Sequence, residues 1–167
     1  MRVGVLDYGA LLTNIDIPLK TGGFHNTILS YPNIEDYEQD AYYLGATIGR
    51  YANRINKGSF RINQKDVQLS LNETSNQNHL HGGFSGFNTK VWNVLFHDDT
   101  SITLSYFSKN GEEGYPGNVQ TTLTYKVEEE NSLSISFHAE SDEPIILNLS
   151  NHCYFNLEDD SCSIKDH

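Results

Sequence analysis

Apolar and polar residues alternate along most of this 167-residue chain, and a period of two is the pattern of β-strands that bury one face. The clearest example is a hairpin in which Phe60 and Ile62 share a face, a turn occupies 63–66, and the alternation resumes over Val67–Leu71. The other predicted strands are bounded by Asp, Asn, Gly, Ser or Pro and cover 2–10 with its turn, 11–17, 91–96, 102–106, 119–127, 133–137 and 145–149. The helix candidate is one short turn at Asn33–Asp36. Because no amphipathic helix separates the strands, the sequence predicts an all-β fold, an antiparallel sandwich or barrel.

The charge balance excludes partners that need a positively charged surface. Eleven Lys and Arg against 22 Asp and Glu give a net charge of −11, and no basic stripe interrupts this excess. Nucleic acids and anionic membrane surfaces are therefore not expected partners. No apolar run approaches the length of a membrane span, and no signal-peptide pattern follows Met1, so we expect a cytoplasmic protein. Cys153 and Cys162 form neither a disulfide framework nor a zinc ligand set, and we expect both as reduced thiols.

A segment near the C-terminal end places a histidine among side-chain amides. Residues 148–157 read Asn-Leu-Ser-Asn-His-Cys-Tyr-Phe-Asn-Leu, in which the apolar residues indicate a strand and the polar ones a face that meets something polar. His152 can exchange a proton near neutral pH. The flanking amides of Asn148 and Asn151 can hold a ligand rich in hydroxyls or fix the ring tautomer. A core histidine bonded to its own amides fits this segment equally well.

Two arginines stand in an otherwise uncharged run over 45–55. Arg50 and Arg54 are surrounded there by glycine and small or apolar residues. An arginine in such a run is most often paired with a carboxylate inside the fold. The functional interpretation is a fixed fork of donors aimed at ligand oxygens.

His79 and His81 are two residues apart, so on a strand both would project from the same face. With His152 they could form a metal site of the cupin type, although no Glu follows at short range. The favoured alternative is that Gly82–Gly83 bends the chain and brings His81 into a cleft.

A glycine-rich loop over 111–117 carries two adjacent carboxylates. Pro116 between glycines predicts a rigid loop. Glu112 and Glu113 are candidate general bases, and the competing interpretation is a pair of solvated carboxylates.

Taken together, four segments resemble the aldose 1-epimerase (galactose mutarotase) family. They are 43–55, 78–83 with Gly86–Phe87, 111–117 and 148–157, and they occur in the family's order and at similar separations. The resemblance implies a galactose mutarotase-like antiparallel β-sandwich that binds a free sugar in a cleft. It also implies interconversion of the α and β anomers of aldohexoses such as galactose or glucose, with no metal and no cofactor.

Residue roles follow from the same resemblance. His152 matches the histidine that protonates the ring oxygen as general acid, and His81 matches the second active-site histidine, which bonds a hydroxyl and the developing charge. Asn53 and Arg54 match the pair that holds sugar hydroxyls. The catalytic candidates are therefore His152 and His81, and the substrate-binding candidates are Asn53, Arg54 and His81.

The resemblance covers the N-terminal half of the chain of a family member. Its general base is a glutamate, and that glutamate, together with an aspartate and a glutamine that hold the sugar, follows the histidine motif. Family members are about twice this length. Residues 1–167 are thus expected to form a single partial domain, an incomplete sandwich that is inactive alone. A complementing C-terminal half or a homo-oligomer would complete it, and the alternative is a non-catalytic carbohydrate-binding β-sandwich.

Overall fold

The computed structural model describes residues 1–158 and 163–167, and within them the chain is built from short antiparallel strands. The strands are Arg2–Leu6 (β1), Leu11–Pro18 (β2), Phe24–Asn26 (β3), Thr47–Ile48 (β4), Arg54–Ile55 (β5), Ser59–Ile62 (β6), Lys65–Gln68 (β7), His79–Leu80 (β8), Asn93–His97 (β9), Ser101–Ser108 (β10), Val119–Glu128 (β11), Ser132–Ser141 (β12) and Ser150–Asn151 (β13). Short 3-10 helices cover Ile34–Gln39, Asn56–Gly58, Phe87–Thr89, Glu112–Gly114, Glu129–Asn131 and Ile164–Asp166. No helix of the described residues is long and apolar enough to cross a membrane.

Two sheets enclose the main core. One sheet has the order β1-β2-β3 and the other the order β12-β11-β10-β9. The alternation of β11 explains its burial, because Val119, Thr121, Leu123 and Tyr125 face inward while the residues between them face outward. Leu12 from the first sheet packs into the same cluster as Leu123 and Tyr125. The predicted all-β antiparallel fold is confirmed, as a sandwich.

Tyr125 joins this core to the ladder that precedes His152. Its buried hydroxyl donates to the carbonyl of Ala10 at 2.7 Å and accepts from the amide Nδ2 of Asn151 at 3.3 Å. Burial raises the pKa of the Tyr125 hydroxyl, so it remains a neutral donor. The main core therefore fixes the start of the segment that carries the histidine.

The strand predictions hold with corrections to their bounds. The hairpin forms as β6 and β7 with Phe60 opposite Val67, but its turn is only Asn63–Gln64, and β7 ends at Gln68. Both turn residues have positive φ, the geometry of a tight two-residue hairpin turn. The predicted strand over 145–149 is wrong, because the ladder begins only at Ser150.

The helix candidate at Asn33–Asp36 becomes the 3-10 helix Ile34–Gln39. Asn33 occupies the N-cap position without capping the backbone, since its amide donates to the carboxylate of Asp36 at 3.0 Å. The position of the turn was predictable, whereas the capping interaction was not.

Candidate active site

His152 follows a short ladder that fixes its backbone. β13 pairs with β4, and beyond the ladder the His152 N–H donates to the carbonyl of Ala46 at 2.9 Å, while its own carbonyl accepts from Gly45 N–H at 3.3 Å. The Asn151 amide bonds the backbone of Gly45 and Cys153. Within the described part of the chain the His152 ring makes no hydrogen bond. The interpretation of a core histidine bonded to its own amides is therefore wrong, and the ring is half-buried and free to bond a ligand.

His81 is locked to Asn53 by two reciprocal hydrogen bonds. The Asn53 N–H donates to His81 Nδ1 at 3.0 Å, and the His81 N–H donates to the Asn53 carbonyl at 3.1 Å. Because Nδ1 accepts, the proton of the neutral ring lies on Nε2, which makes Nε2–H the donor toward a ligand. The pKa of His81 is lowered to about 4, mainly by burial, and the nearby His152 and Arg54 contribute to this shift in the same direction. His81 is thus neutral at physiological pH.

The two candidate catalytic imidazoles lie against each other. The ring centroids of His81 and His152 are 5.0 Å apart and their planes are at 89°. Two tyrosines enclose the pair: Tyr43 lies 4.9 Å from His81 and 5.7 Å from His152, and Tyr154 lies 5.1 Å from His152. Segments that are distant in the sequence therefore build one cluster of polar aromatic rings.

Arg54 is oriented by a carboxylate that the sequence analysis did not single out. Its Nε and Nη2 lie 2.9 and 2.7 Å from Oε1 of Glu73, and its Nη1 donates to Oδ1 of Asn53 at 3.1 Å. The other Glu73 oxygen accepts from Asn78 at 2.7 Å. Hydrogen bonds from Arg54 and Asn78 lower the pKa of Glu73 to about 2. The Arg54 side chain remains 51% exposed, so its other N–H groups are available to a ligand.

Arg50 is buried and bonded within the protein, so it is not a fork aimed at ligand oxygens, and its predicted pairing with a carboxylate is not what holds it. The side chain is buried and donates to the hydroxyl and carbonyl of Ser108 and to the carbonyls of Lys109 and Pro116, at 2.8 to 3.0 Å. Burial lowers its pKa, and nearby Glu112 opposes that shift. Arg50 thus fixes the loop after β10 to the segment that leads to Asn53.

His79 and His81 do not share a face, which contradicts the metal hypothesis. Strand β8 ends at Leu80 and His81 has a φ of +52°, so the chain turns between the two rings. The buried His79 ring accepts from the Tyr115 hydroxyl at 2.7 Å and lies 2.8 Å from the Ser70 carbonyl. Both ring nitrogens of His79 are engaged within the protein, and the described residues contain no cluster of three or more metal-binding side chains.

The two adjacent glutamates support the loop that carries them. Glu113 accepts from the N–H groups of Phe84 and Ser85 at 3.2 and 2.8 Å, and Glu112 accepts from the Tyr106 hydroxyl and pairs with Lys90. Neither interpretation, general base or solvated carboxylate, describes them. Glu113 instead fixes the segment just after Gly82–Gly83, where the chain leaves His81.

Cys153 is a free, half-buried thiol whose pKa is raised to about 12 by burial. It is therefore protonated and unreactive at neutral pH. Cys162 lies outside the described residues.

The four residues assigned from the resemblance are brought together: His81, His152, Asn53 and Arg54. Tyr43, Tyr154 and Glu73 were missed as members of the site. Tyr43 begins one of the matching segments and Tyr154 lies within another, but nothing in their spacing marks them as contacts of the histidines.

Comparison with known proteins places the whole chain in one family. The family model for aldose 1-epimerase matches residues 1–167. The chain is 36% identical over 167 residues to aldose 1-epimerase of Escherichia coli K12 and 35% identical over 170 residues to galactose mutarotase of Homo sapiens. All of this chain is matched, but only 48% of each relative, so the chain spans about half their length.

Comparison with solved structures supports the same family. An aldose epimerase homologue from C. elegans superposes with a TM-score of 0.87 at 33% identity, over 93% of this chain and 47% of the other. A galactose 1-epimerase from Lactobacillus acidophilus superposes with a TM-score of 0.80 at 37% identity, over 93% and 45%. The sequence segments, the sandwich and the family match over the whole of this chain agree. The chain therefore belongs to the aldose 1-epimerase family and corresponds to the N-terminal half of its members.

Proposed function

We propose that this chain contributes the acid side of an aldose 1-epimerase site for aldohexoses such as galactose or glucose. The observation that carries the proposal is the 5.0 Å contact between the imidazoles of His81 and His152, with Asn53 hydrogen-bonded to His81 and Arg54 beside it. Amide, guanidinium and imidazole donors in one cluster suit a ligand rich in hydroxyls. Membership of the family supports the reaction type.

The reaction requires proton transfers, cleavage and re-formation of the bond between C1 and the ring oxygen, and one bond rotation. A base removes the proton of the C1 hydroxyl while His152 delivers a proton to the ring oxygen, which opens the ring to the aldehyde. Rotation about the C1–C2 bond and reclosure on the other face give the second anomer, with the proton transfers reversed. Each well-placed transfer contributes about 10²–10⁴-fold. Neutral His81 donates through Nε2–H to a sugar oxygen, and Asn53 and Arg54 hold neighbouring hydroxyls.

The general base is then supplied by a polypeptide that corresponds to the second half of the relatives. An apolar groove of about 450 Å³ lies between the two sheets and is lined by Leu12, Ile15, Ile17, Leu133, Ile135 and Phe155. Leu133 and Ile135 belong to β12, one of the two edge strands of its sheet, and among the described residues its outer edge is unpaired and can accept a further strand. We infer that the second half packs here, because an exposed apolar groove beside an open strand edge is the kind of surface that a second protein segment covers.

The decisive experiment is fragment complementation. The chain is co-expressed with the second half of the E. coli relative, and the mutarotation of fresh α-glucose and α-galactose is followed by polarimetry. A rate above the spontaneous one, present in the mixture and lost in His152→Ala, supports the proposal. His97→Ala is the matched control, because His97 is an exposed histidine on β9, at the opposite edge of the sheet from β12. Co-purification without any acceleration would contradict the catalytic role of this chain.

A second candidate function, non-catalytic sugar binding, is favoured by one observation. The hydroxyl-binding pair Asn53 and Arg54 is held in place by Glu73 and His81, without help from outside the chain. Calorimetric titration of the chain alone with galactose separates the two functions, since binding without acceleration in the complemented mixture favours this one. A cytoplasmic location remains a prediction that cell fractionation tests.

A further inference from the structure

Tyr43 completes a triangle of rings with the two histidines. Its centroid lies 4.9 Å from His81 with the planes at 65°, and 5.7 Å from His152 with the planes at 38°. The histidines themselves are 5.0 Å apart. Each ring therefore contacts the other two, and Tyr43 packs both on the His81 ring, which Asn53 also holds, and on the His152 ring, which has no hydrogen bond within the described residues.

The backbone of Tyr43 is held in an uncommon conformation. Its φ of +61° lies in the left-handed region, which residues other than glycine rarely adopt. The Asp40 carboxylate accepts from the N–H groups of Tyr42 and Leu44 at 2.8 and 2.7 Å, on either side of it. The Tyr43 carbonyl accepts from Ala46 N–H at 3.1 Å. Strain of this kind persists where the surrounding structure determines it, and here it aims one ring at the histidines.

The Tyr43 hydroxyl plays no part in holding this arrangement. Tyr31, Tyr106, Tyr115 and Tyr125 each engage their hydroxyls with a protein group. Within the residues that the structure describes, the Tyr43 hydroxyl has no such partner. Its ring, by contrast, packs both on the histidines and on the buried cluster around Leu11 and Ile48. The contacts of this side chain are thus made by its ring.

We propose that Tyr43 is a positioning residue: its ring, aimed by the Asp40 turn, sets the separation and angle between the His81 and His152 imidazoles. The inference rests on the proposed function in so far as that geometry serves proton delivery to a sugar. Without the ring, the Nε2–H of His81 and the acid proton of His152 are no longer held at fixed positions relative to one bound ligand. Misplacement of reacting groups by about 1 Å costs on the order of 10²-fold in rate.

The geometric test uses the complete chain and needs no activity. In the unmodified protein, nuclear Overhauser contacts are expected from the Tyr43 ring protons to both imidazoles and between the imidazoles. Tyr43→Phe keeps the ring and is expected to keep the contact between the histidines, whereas Tyr43→Leu is expected to lose it. Tyr42→Leu is the matched control, because Tyr42 is the adjacent tyrosine and is 66% exposed. A folded unmodified chain without contacts from Tyr43 to both imidazoles would overturn the inference, even if Tyr43→Leu failed to fold.

The catalytic test uses the complemented protein. Tyr43→Leu is expected to lower kcat about 10- to 100-fold with KM nearly unchanged, while Tyr43→Phe and Tyr42→Leu keep both constants within about 2-fold. Asp40→Ala is expected to act like Tyr43→Leu, because it releases the turn. Equal losses in Tyr43→Phe and Tyr43→Leu would refute a positioning ring. If no mutarotation is detected even in the unmodified mixture, the proposed function fails, and the Overhauser contacts alone decide on Tyr43.

Discussion

The imidazoles of His81 and His152 meet edge to face, 5.0 Å apart, although one follows strand β8 and the other strand β13. Two protonated rings at this distance would repel each other, and His152 is one cause of the low pKa of His81. The pair is therefore suited to a division of roles in which His81 stays a neutral hydrogen-bond donor. This arrangement has a consequence for stability that can be measured without substrate.

We predict that the folded chain loses stability on acidification from pH 6.5 to about 4 because of His81. Its pKa in the folded chain is about 4, below the ordinary 6.5, so the unfolded chain takes up the proton first as the pH falls. The contribution is fully present above pH 6.5 and is lost by pH 4. It amounts to at most about 3 kcal/mol, reduced by the partial exposure of the site. Urea denaturation at several pH values measures it.

His81→Asn is expected to flatten this part of the pH profile, since it removes the titrating group. His79, whose pKa is also lowered by burial, contributes in the same direction, so a residual slope is expected. The control is His97→Asn, because His97 is an exposed histidine on β9. An unchanged slope in His81→Asn would contradict the prediction.

Glu73→Gln is expected to weaken sugar binding about 3- to 10-fold while leaving the free energy of unfolding nearly unchanged, because exposed ion pairs contribute little to stability. The Glu73 carboxylate fixes the Arg54 guanidinium, and without this carboxylate the exposed guanidinium is expected to move more freely. Calorimetric titration with galactose and urea denaturation measure the two effects. Asp66→Asn is the control, since Asp66 and Arg61 form an exposed pair at 3.7 Å. Equal affinity in the unmodified chain and Glu73→Gln would show that Arg54 needs no partner.

The fold was largely predictable, because each sheet of a sandwich buries one face and its strands therefore alternate between buried and exposed residues. This alternation is visible in the sequence of β10, β11 and β12. The segment 145–149 was mispredicted for a physical reason. It is apolar like a strand, but it bonds the neighbouring run only through single contacts, such as Asn148 N–H with the Arg50 carbonyl at 2.9 Å. Apolar character alone does not distinguish a ladder from such isolated bridges.

The site was predictable only in part, because its geometry depends on backbone conformations that leave little trace in the sequence. Positive φ values at Tyr43, Asn53 and His81 turn these residues away from the directions that strand periodicity assigns. For that reason His79 was expected beside His81 and lies elsewhere. Glu73 precedes a run of polar turn residues and carries no local sign of its ion pair with Arg54.

Arg50→Ala is expected to destabilise the chain by about 3–5 kcal/mol, because it removes a buried guanidinium and leaves the carbonyls of Ser108, Lys109 and Pro116 without their donors. Arg50→Lys should recover only part of this loss, since an ammonium group lacks the planar fork. Urea denaturation measures both, and the matched control Arg61→Ala, at an exposed arginine, should stay within about 0.5 kcal/mol. A loss below about 1 kcal/mol in Arg50→Ala would show that water replaces these bonds.

The exposed apolar edge strand β9 leads us to predict that the isolated chain self-associates. It forms the outer edge of the four-stranded sheet, and Val94, Leu95 and Phe96 are 51%, 61% and 51% exposed. An exposed apolar edge without lysine or proline offers unpaired backbone groups to another copy. We therefore expect the sedimentation coefficient of the chain to rise with concentration.

Leu95→Lys is expected to suppress this rise, because a charge on an edge strand opposes pairing with a second edge. Gln120→Lys adds the same charge at an exposed position on the interior strand β11 and should leave the association unchanged. A single sharp monomer boundary for the unmodified chain at all concentrations would refute the prediction. Association that persists equally in both variants would instead locate the contact away from β9, with the apolar groove between β2 and β12 as the next surface to substitute.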